Sequence, residues 1–141
     1  MLYALLCYNS EAMVADWSPE KDKEVMAHHL AVERRLAEQG KVGPVVRLMP
    51  TTTATTIRSG RAPSVIDGPF AETKEQLLGF YLVDCDSLEE AIRVATELGI
   101  ESGAMEIRPV MHFSDLSNPR GAVGEAAGGA DGQNTQARGI Q

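Results

Sequence analysis

Two segments of this chain, residues 1–8 and 77–85, are apolar at almost every position. Side chains of a β-strand alternate between the two faces of its sheet, so a strand formed from either segment is apolar on both sides. Such strands occur where a sheet is covered on both faces. Both segments are therefore predicted to be central strands, and the sheet that holds them needs a layer of structure on each face.

The first helix is predicted from Ser18, which can cap it, and Pro19, which suits the first helical position. Gly40 is expected to end it, because glycine readily adopts the backbone angles found just beyond a helix. The apolar residues follow helical spacing. They are expected to form a buried stripe of Val25, Met26, Leu30, Val32 and Leu36.

A second helix is predicted after Ser87, because Glu90 lies three residues on and completes a capping box, and Gly99 is expected to end it. Its expected buried stripe is Leu88, Ala91, Ile92, Ala95 and Leu98. The segment Met105–Phe113 alternates like a half-buried strand. Pro109 places that strand at an edge or a bulge, since proline cannot donate a ladder hydrogen bond.

The region between the first helix and the second central strand is predicted to hold a strand and an inserted hairpin. Val45–Met49 is the strand, and Thr51–Arg58 is rich in β-branched residues that favour extended structure. Ser59 and Gly60 indicate a two-residue turn, with Ala62–Ile66 as the returning strand.

The resulting order is strand, helix, strand, hairpin, strand, helix, strand. It predicts an α+β fold of the ferredoxin-like βαββαβ type with an inserted β-hairpin, in which both helices cover one sheet face. A second copy of the chain is the expected cover of the other face, which predicts a homodimer. The chain of 141 residues suits one such domain over residues 1–113, and residues 114–141 are expected to be a disordered glycine- and alanine-rich tail.

The composition argues against several classes of partner. The net charge is −7 and basic residues do not cluster, so direct binding to nucleic acid or to an anionic membrane surface is not expected. The sequence shows no signal peptide and no apolar run long enough to span a bilayer, which predicts a cytoplasmic protein. It also lacks a phosphate loop, a nucleotide fingerprint and metal-ligand spacing, so neither a cofactor nor a metal is expected.

The segment Asp67–Gln76 is the strongest candidate for a functional loop. Glu72, Thr73, Lys74 and Glu75 place two carboxylates, a hydroxyl and an ammonium in four consecutive positions, and Phe70 supplies an aromatic ring. Catalytic and binding groups often lie on such loops of a rigid scaffold. A charged turn anchored by one aromatic residue would have the same composition.

The run DGPFAETKEQL at residues 67–77 resembles the signature of the DGPF-type branch of the YCII-related family, and the similarity extends over about residues 1–112. The resemblance implies a dimeric ferredoxin-like α+β barrel with a cleft between the sheet and the loop. Some members of the family have been proposed to be small-molecule enzymes, and a relative in chloroaromatic breakdown eliminates chloride. Genes of this branch often lie beside genes for extracytoplasmic-function sigma factors, which implies a sigma factor as partner in a regulatory setting.

The resemblance also implies a role for His29, which matches the position of a histidine proposed as the acid–base residue of the wider family. Helical spacing independently directs His29 toward the sheet, where it would be either a proton carrier or a hydrogen-bonded residue at the edge of the core. An Asp-Pro pair that often follows the second helix in the family is absent, since residues 99–102 read GIES. Asp67 or Glu72 is therefore the candidate carboxylate partner of His29.

Four further residues are candidates for substrate binding: Phe70, Lys74, Tyr81 and Arg108. Tyr81 is expected to line the cleft or to pack in the core with its hydroxyl at the rim. Arg108 is expected to pair with Asp67 or Glu72, or to bind substrate. Three functions remain open: a cofactor-free isomerase or lyase, a ligand-binding or regulatory dimer, and a loop that serves only folding and dimerisation.

Overall fold

The computed structural model describes residues 1–117 and 124–125. In those residues the chain forms a mixed α+β structure with three α-helices and an antiparallel four-stranded sheet, which confirms the predicted α+β class. The helices are α1 (Glu11–Ala15), α2 (Pro19–Glu38) and α3 (Leu88–Leu98). The strands of the first 110 residues are β1 (Leu2–Asn9), β2 (Val42–Arg47), β3 (Thr55–Arg58), β4 (Ser64–Asp67), β5 (Gln76–Asp84) and β6 (Ala104–Pro109).

The two strands predicted to be central are central. The sheet order is β2-β5-β1-β6, and β1 pairs with β5 on one side and β6 on the other. Pro109 lies at the end of the edge strand β6, as its missing N–H requires. The strands β3 and β4 form a separate antiparallel hairpin between β2 and β5.

Both long helices begin where their capping residues predict. The Ser18 hydroxyl accepts a hydrogen bond from the backbone N–H of Lys21 at 3.1 Å, and Ser87 does the same for Glu90 at 3.2 Å. Gly40 follows α2 with a φ of 67°, where the backbone N–H of Lys41 donates to the Leu36 carbonyl at 2.8 Å. A residue with a Cβ would be strained at that φ, so the glycine suits the end of the helix.

The core lies between one face of the sheet and the helices α2 and α3. Strand alternation places Tyr3, Leu5, Tyr81 and Val83 on that face, and all four are buried. The helices contribute the rest of the buried apolar side chains: Val32, Leu36, Ala91, Val94, Ala95 and Leu98. Cys85 is buried beside them and Cys7 is partly buried, both as free thiols.

Parts of both predicted helical stripes were wrong. In α2, Met26 and Leu30 are exposed, and the buried members of the predicted stripe are Val32 and Leu36. In α3 the buried stripe is Ala91, Val94, Ala95 and Leu98, so Leu88 and Ile92 lie on its flank. Alanine side chains take little space between a helix and the layer below it, which is consistent with burial of the face that contains Ala91 and Ala95 and exposure of the larger Leu88 and Ile92.

Several element boundaries also differ from their predictions. The hairpin loop spans residues 59–63 instead of two residues, and Thr51–Thr53 is a 3-10 turn instead of the start of a strand. The strand predicted at Val45–Met49 begins earlier and ends at Arg47. Helix α1 was not predicted, because five residues are too few to show a helical period.

Residues 1–110 form one compact unit, and a second unit begins at Met111. The second unit contains the short pair β7 (His112–Phe113) and β8 (Gly124–Glu125), so the predicted last strand ends at Pro109 and does not continue to Phe113. The predicted disordered tail, residues 114–141, lies largely outside the described residues.

Candidate functional site

A cavity of about 530 Å³ lies between the sheet and the helices α1 and α2. Its volume is in the range of small-molecule pockets, and most of its lining side chains are apolar, as is usual for such sites. Cys7, Gly79 and Tyr81 contribute to it from the central strands. These three residues follow the strand alternation that also directs Leu5 and Val83 into the core, so the cavity continues the buried layer.

One face of α2 supplies a line of side chains to this cavity, three of them polar. Asp22, Met26, His29 and Glu33 are spaced by four, three and four residues, which places them on one side of a helix. All four line the cavity. This stripe runs beside the core stripe, so α2 contributes both to the core and to the cavity.

Tyr81 on β5 and His29 on α2 are joined by a hydrogen bond inside the cavity. The Tyr81 hydroxyl lies 3.1 Å from Nδ1 of His29, and Nε2 of the same ring lies 3.0 Å from the backbone carbonyl of Leu98. A carbonyl can only accept, so Nε2 carries the proton and donates to it. Nδ1 of the neutral ring is then an acceptor, and Tyr81 donates its hydroxyl proton to it.

Burial keeps both members of this pair uncharged. Burial lowers the pKa of His29 below its usual value, while its bond to the Leu98 carbonyl acts in the opposite direction and the charges of His28 and Arg47 lower it further. Burial raises the pKa of Tyr81 to about 12, and the negative charge of Glu33 adds to that rise. Near neutral pH, the cavity therefore contains a neutral imidazole and a neutral phenol in contact.

Glu33 is a cavity residue that the sequence analysis missed. Its side chain is partly buried, and burial raises the pKa of its carboxyl group. Its position four residues after His29 was the available signal, because residues at that spacing share a helix face.

Arg47 was also missed. It is the last residue of β2, and it pairs with Asp22 through Nη2 at 3.1 Å while Nη1 donates to Sδ of Met26 at 3.1 Å. The alternation of Val45, Arg47 and Met49 in an apolar run was the signal for an inward-facing arginine.

The predicted loop reaches the cavity wall only at its end. Gln76 accepts a hydrogen bond from the backbone N–H of Glu11 at 3.0 Å, and Glu11 at the start of α1 lines the cavity. The Glu11 carboxylate in turn accepts bonds from the backbone N–H and the hydroxyl of Thr51 at 2.8 and 2.7 Å. The end of the loop thus positions α1, which forms one wall of the cavity.

The sequence model of the YCII-related domain matches residues 1–114. An uncharacterized protein of Rhizobium meliloti (strain 1021) is 53% identical over 114 residues, a stretch that covers 78% of this chain and 92% of that protein. The chain belongs to the YCII-related family. The resemblance noted in the sequence is thereby confirmed at the level of the family.

The acid–base role that the family resemblance implies for His29 remains a prediction. The structure does not bring Asp67 or Glu72 to this histidine. Both carboxylates are exposed and neither lines the cavity, while both ring nitrogens of His29 already have partners in Leu98 and Tyr81. The predicted His29–carboxylate dyad is absent from the described residues, and catalytic roles for Asp67 and Glu72 remain predictions.

Of the four residues predicted to bind substrate in this YCII-related chain, one lines the cavity and three lie outside it. Tyr81 lines the cavity, whereas Phe70, which is 76% exposed, and the exposed Lys74 lie on the loop outside it. Arg108 also lies outside the cavity, and its Nε donates to Glu106 at 2.8 Å instead of pairing with Asp67 or Glu72. The binding roles of Phe70, Lys74 and Arg108 remain predictions.

The described part of the chain contains no group of three or more histidine, cysteine, aspartate or glutamate side chains arranged to hold a metal ion. Within residues 1–117 and 124–125, none of the helices has both the length and the apolar character needed to cross a membrane.

Proposed function

We propose that the protein is a small-molecule enzyme that moves a proton within the cavity, as an isomerase or a lyase does. The observation that carries this proposal is the bond from the Tyr81 hydroxyl to Nδ1 of His29 in a largely apolar cavity. Neutral histidine is a competent proton acceptor near pH 7.

The pair can relay a proton in a balanced step. A substrate C–H or O–H group gives its proton to the Tyr81 oxygen while Tyr81 passes its own proton to Nδ1 of His29. The products of this step are an imidazolium and a substrate anion. Return of the proton to a different atom gives an isomer, and loss of an anionic leaving group from the substrate gives an elimination product.

The Leu98 carbonyl has the orienting role that was predicted for Asp67 or Glu72. It holds the Nε2–H of His29, which fixes the tautomer that leaves Nδ1 free to accept. The same carbonyl stabilises the imidazolium, because its bond to the ring raises the pKa of His29 against the effect of burial.

Ligand-observed NMR with a library of small molecules tests this proposal. Binders of the wild type should lose affinity on Tyr81→Phe and on His29→Gln. The matched controls are Tyr3→Phe, a buried tyrosine of the same sheet face, and His28→Gln, the neighbouring residue outside this cavity. The proposed site would be contradicted if the control variants weaken binding as much as Tyr81→Phe and His29→Gln do, or if none of the four variants changes the affinity.

For the most active compound found in this way, turnover gives the sharper test. Removal of a general base commonly costs about 10²–10⁴-fold in rate. His29→Gln should reduce turnover by about a hundredfold or more, while His28→Gln should leave it unchanged. Turnover that survives His29→Gln would remove the relay from the mechanism.

The proposal also includes a ferredoxin-like homodimer of the DGPF-type branch, with two sheets packed face to face as a dimeric α+β barrel. It is supported by the sheet face that alternates away from the helices, whose positions on β1, β2 and β5 include partly buried apolar side chains, while Glu106 and Arg108 lie on this face at the β6 edge. Its central residues are Ala4, Leu6, Val46, Phe80 and Leu82. Sedimentation should give a dimer, and Leu6→Glu should give a folded monomer because a charge cannot be buried unpaired at that interface. A wild-type protein that stays monomeric at high concentration would refute the proposed homodimer.

The regulatory alternative, with an extracytoplasmic-function sigma factor as partner, rests on the family resemblance. Co-purification from native cells would support it. Its site is unspecified, and the cavity proposal does not depend on it.

A further inference from the structure

The charged groups around the cavity are not balanced. Among the described residues that line it are three carboxylates, those of Glu11, Asp22 and Glu33, and one guanidinium, that of Arg47. His29 is neutral near pH 7, because burial lowers its pKa. The lining therefore has an excess of negative charge.

Two of the carboxylates have partners that satisfy them. Glu11 accepts two hydrogen bonds from Thr51. Asp22 is paired with Arg47 at 3.1 Å. These two groups help to hold α1 and β2 in place and need no ligand.

Glu33 differs from them. Within residues 1–117 and 124–125 it has no hydrogen bond and no ion pair, although it is partly buried and lines the cavity. Its unpaired oxygens are open to solvent, so a ligand cation that enters the cavity can pair with them without displacing a protein partner.

Arg47 is the cavity residue that could bind an anionic ligand, but its guanidinium already has partners. Nη2 of its guanidinium is bound to Asp22 and Nη1 to the sulfur of Met26. A ligand carboxylate would have to compete with Asp22 for this cation, whereas a ligand cation at Glu33 has no competitor among the described side chains.

The rest of the cavity favours an apolar ligand body. The side chains of Val14, Trp17, Val25, Leu78 and Ile100 belong to its lining. A volume of about 530 Å³ admits an aromatic or branched aliphatic group together with a short polar end.

We propose that the substrate class of this site is a primary amine on an apolar body, bound as its ammonium ion by Glu33. The inference rests on the proposed function, since it names the substrate of the same cavity. The negative charge of Glu33 is close enough to raise the pKa of Tyr81. An ammonium bound there offsets that effect, so the substrate itself makes Tyr81 a better proton donor.

Three aromatic probes of nearly equal size test the ligand class. They are 2-phenylethylamine, 2-phenylethanol and 3-phenylpropanoate, which carry a positive, a neutral and a negative end. Near pH 7 the amine is protonated, since alkyl ammonium groups titrate near about pH 10. Titrations followed by protein NMR should show the amine binding about tenfold or more tightly than the other two, equivalent to about 1.4 kcal/mol.

Glu33→Gln should remove this preference while keeping the size of the side chain. Glu38→Gln, on the same helix but outside the cavity lining, should retain it. The inference is overturned if the amine does not bind at millimolar concentration, if either other probe binds more tightly, or if Glu33→Gln preserves the preference.

Failure of the ligand class can be distinguished from failure of the proposed function. If 3-phenylpropanoate or 2-phenylethanol binds instead and Tyr81→Phe weakens it, the amine inference is wrong and the relay site stands. If the amine binds through Glu33 but Tyr81→Phe and His29→Gln leave both affinity and turnover unchanged, the ligand class stands and the relay is wrong.

Discussion

The hydroxyl of Tyr81 lies 3.1 Å from Nδ1 of His29, and this contact joins the central strand β5 to helix α2 across the wall of the cavity. The ring of His29 is held on its other side by the Leu98 carbonyl at the end of α3. One histidine thus links the sheet and two helices at the point where the core meets the cavity.

The stability of the protein should depend on pH through His29. Burial lowers its pKa in the folded protein, so on acidification the unfolded chain takes up a proton first, near about pH 6.5. The contribution of neutral His29 to the free energy of unfolding is therefore complete above about pH 6.5. It falls as the pH drops toward the pKa of His29 in the folded protein, and it changes no further below that pKa.

Urea unfolding between about pH 5 and pH 8 measures this dependence. His29→Gln should flatten the slope of unfolding free energy against pH in this range, and His28→Gln serves as the neighbouring control. Equal slopes for the wild type and His29→Gln would contradict a lowered pKa.

Tyr81 should ionise later than an ordinary tyrosine, because burial raises its pKa to about 12. The stability linked to this group is complete below about pH 10 and is lost as the pH rises toward about 12. Near-ultraviolet tyrosinate absorbance, recorded immediately after a rapid pH jump, follows the ionisation before the protein unfolds. Tyr81→Phe should remove the absorbance transition near pH 12, and Tyr3→Phe should keep it. If Tyr81 instead ionises near about pH 10, its hydroxyl is solvated and the prediction is wrong.

Gly79 should not tolerate a side chain. A Cβ there would lie 2.2 Å from the Val46 carbonyl oxygen and 3.2 Å from the Arg47 Cα, so β2 would have to shift. Gly79→Ala should cost about 1–3 kcal/mol, as overpacking usually does. Gly60→Ala, where the added Cβ has nothing within 4 Å, should stay within about 0.5 kcal/mol. Similar unfolding midpoints for the two variants would mean that β2 does not approach Gly79 this closely.

Leu98 is fully buried in the core, and its carbonyl orients His29. Leu98→Ala should cost about 2–5 kcal/mol by creating a cavity, whereas Ile92→Ala on the exposed flank of the same helix should cost far less. Chemical denaturation of both variants checks this difference. A larger loss for Ile92→Ala would indicate that α3 packs with the stripe predicted from its sequence.

Much of the fold could be predicted from the sequence because its signals are local. The capping residues Ser18 and Ser87 and the uninterrupted apolar strands lie within single elements, and the structure confirms each of them. The buried faces were less predictable. Leu30 and Leu88 fit a helical stripe as well as their neighbours do, and only the packing of the whole layer excludes them from the core.

The candidate site was harder to predict, since its central contact joins residues 52 positions apart. The orientation of His29 toward the sheet was inferred correctly from helical spacing. Its partner was not, because Tyr81 lies on a distant strand and no pattern local to His29 distinguishes it from the carboxylates of Asp67 and Glu72. A tyrosine in an apolar strand has the same local pattern whether it packs in a core or lines a cavity.

The tautomer of His29 tests the central claim most directly. Long-range ¹H–¹⁵N NMR of the histidine rings near pH 7 distinguishes a protonated from an unprotonated ring nitrogen. We expect a proton on Nε2, an unprotonated Nδ1 that accepts from Tyr81, and a change in the Nδ1 shift on Tyr81→Phe but not on Tyr3→Phe. A proton on Nδ1, or a ring that is charged at that pH, would contradict the relay.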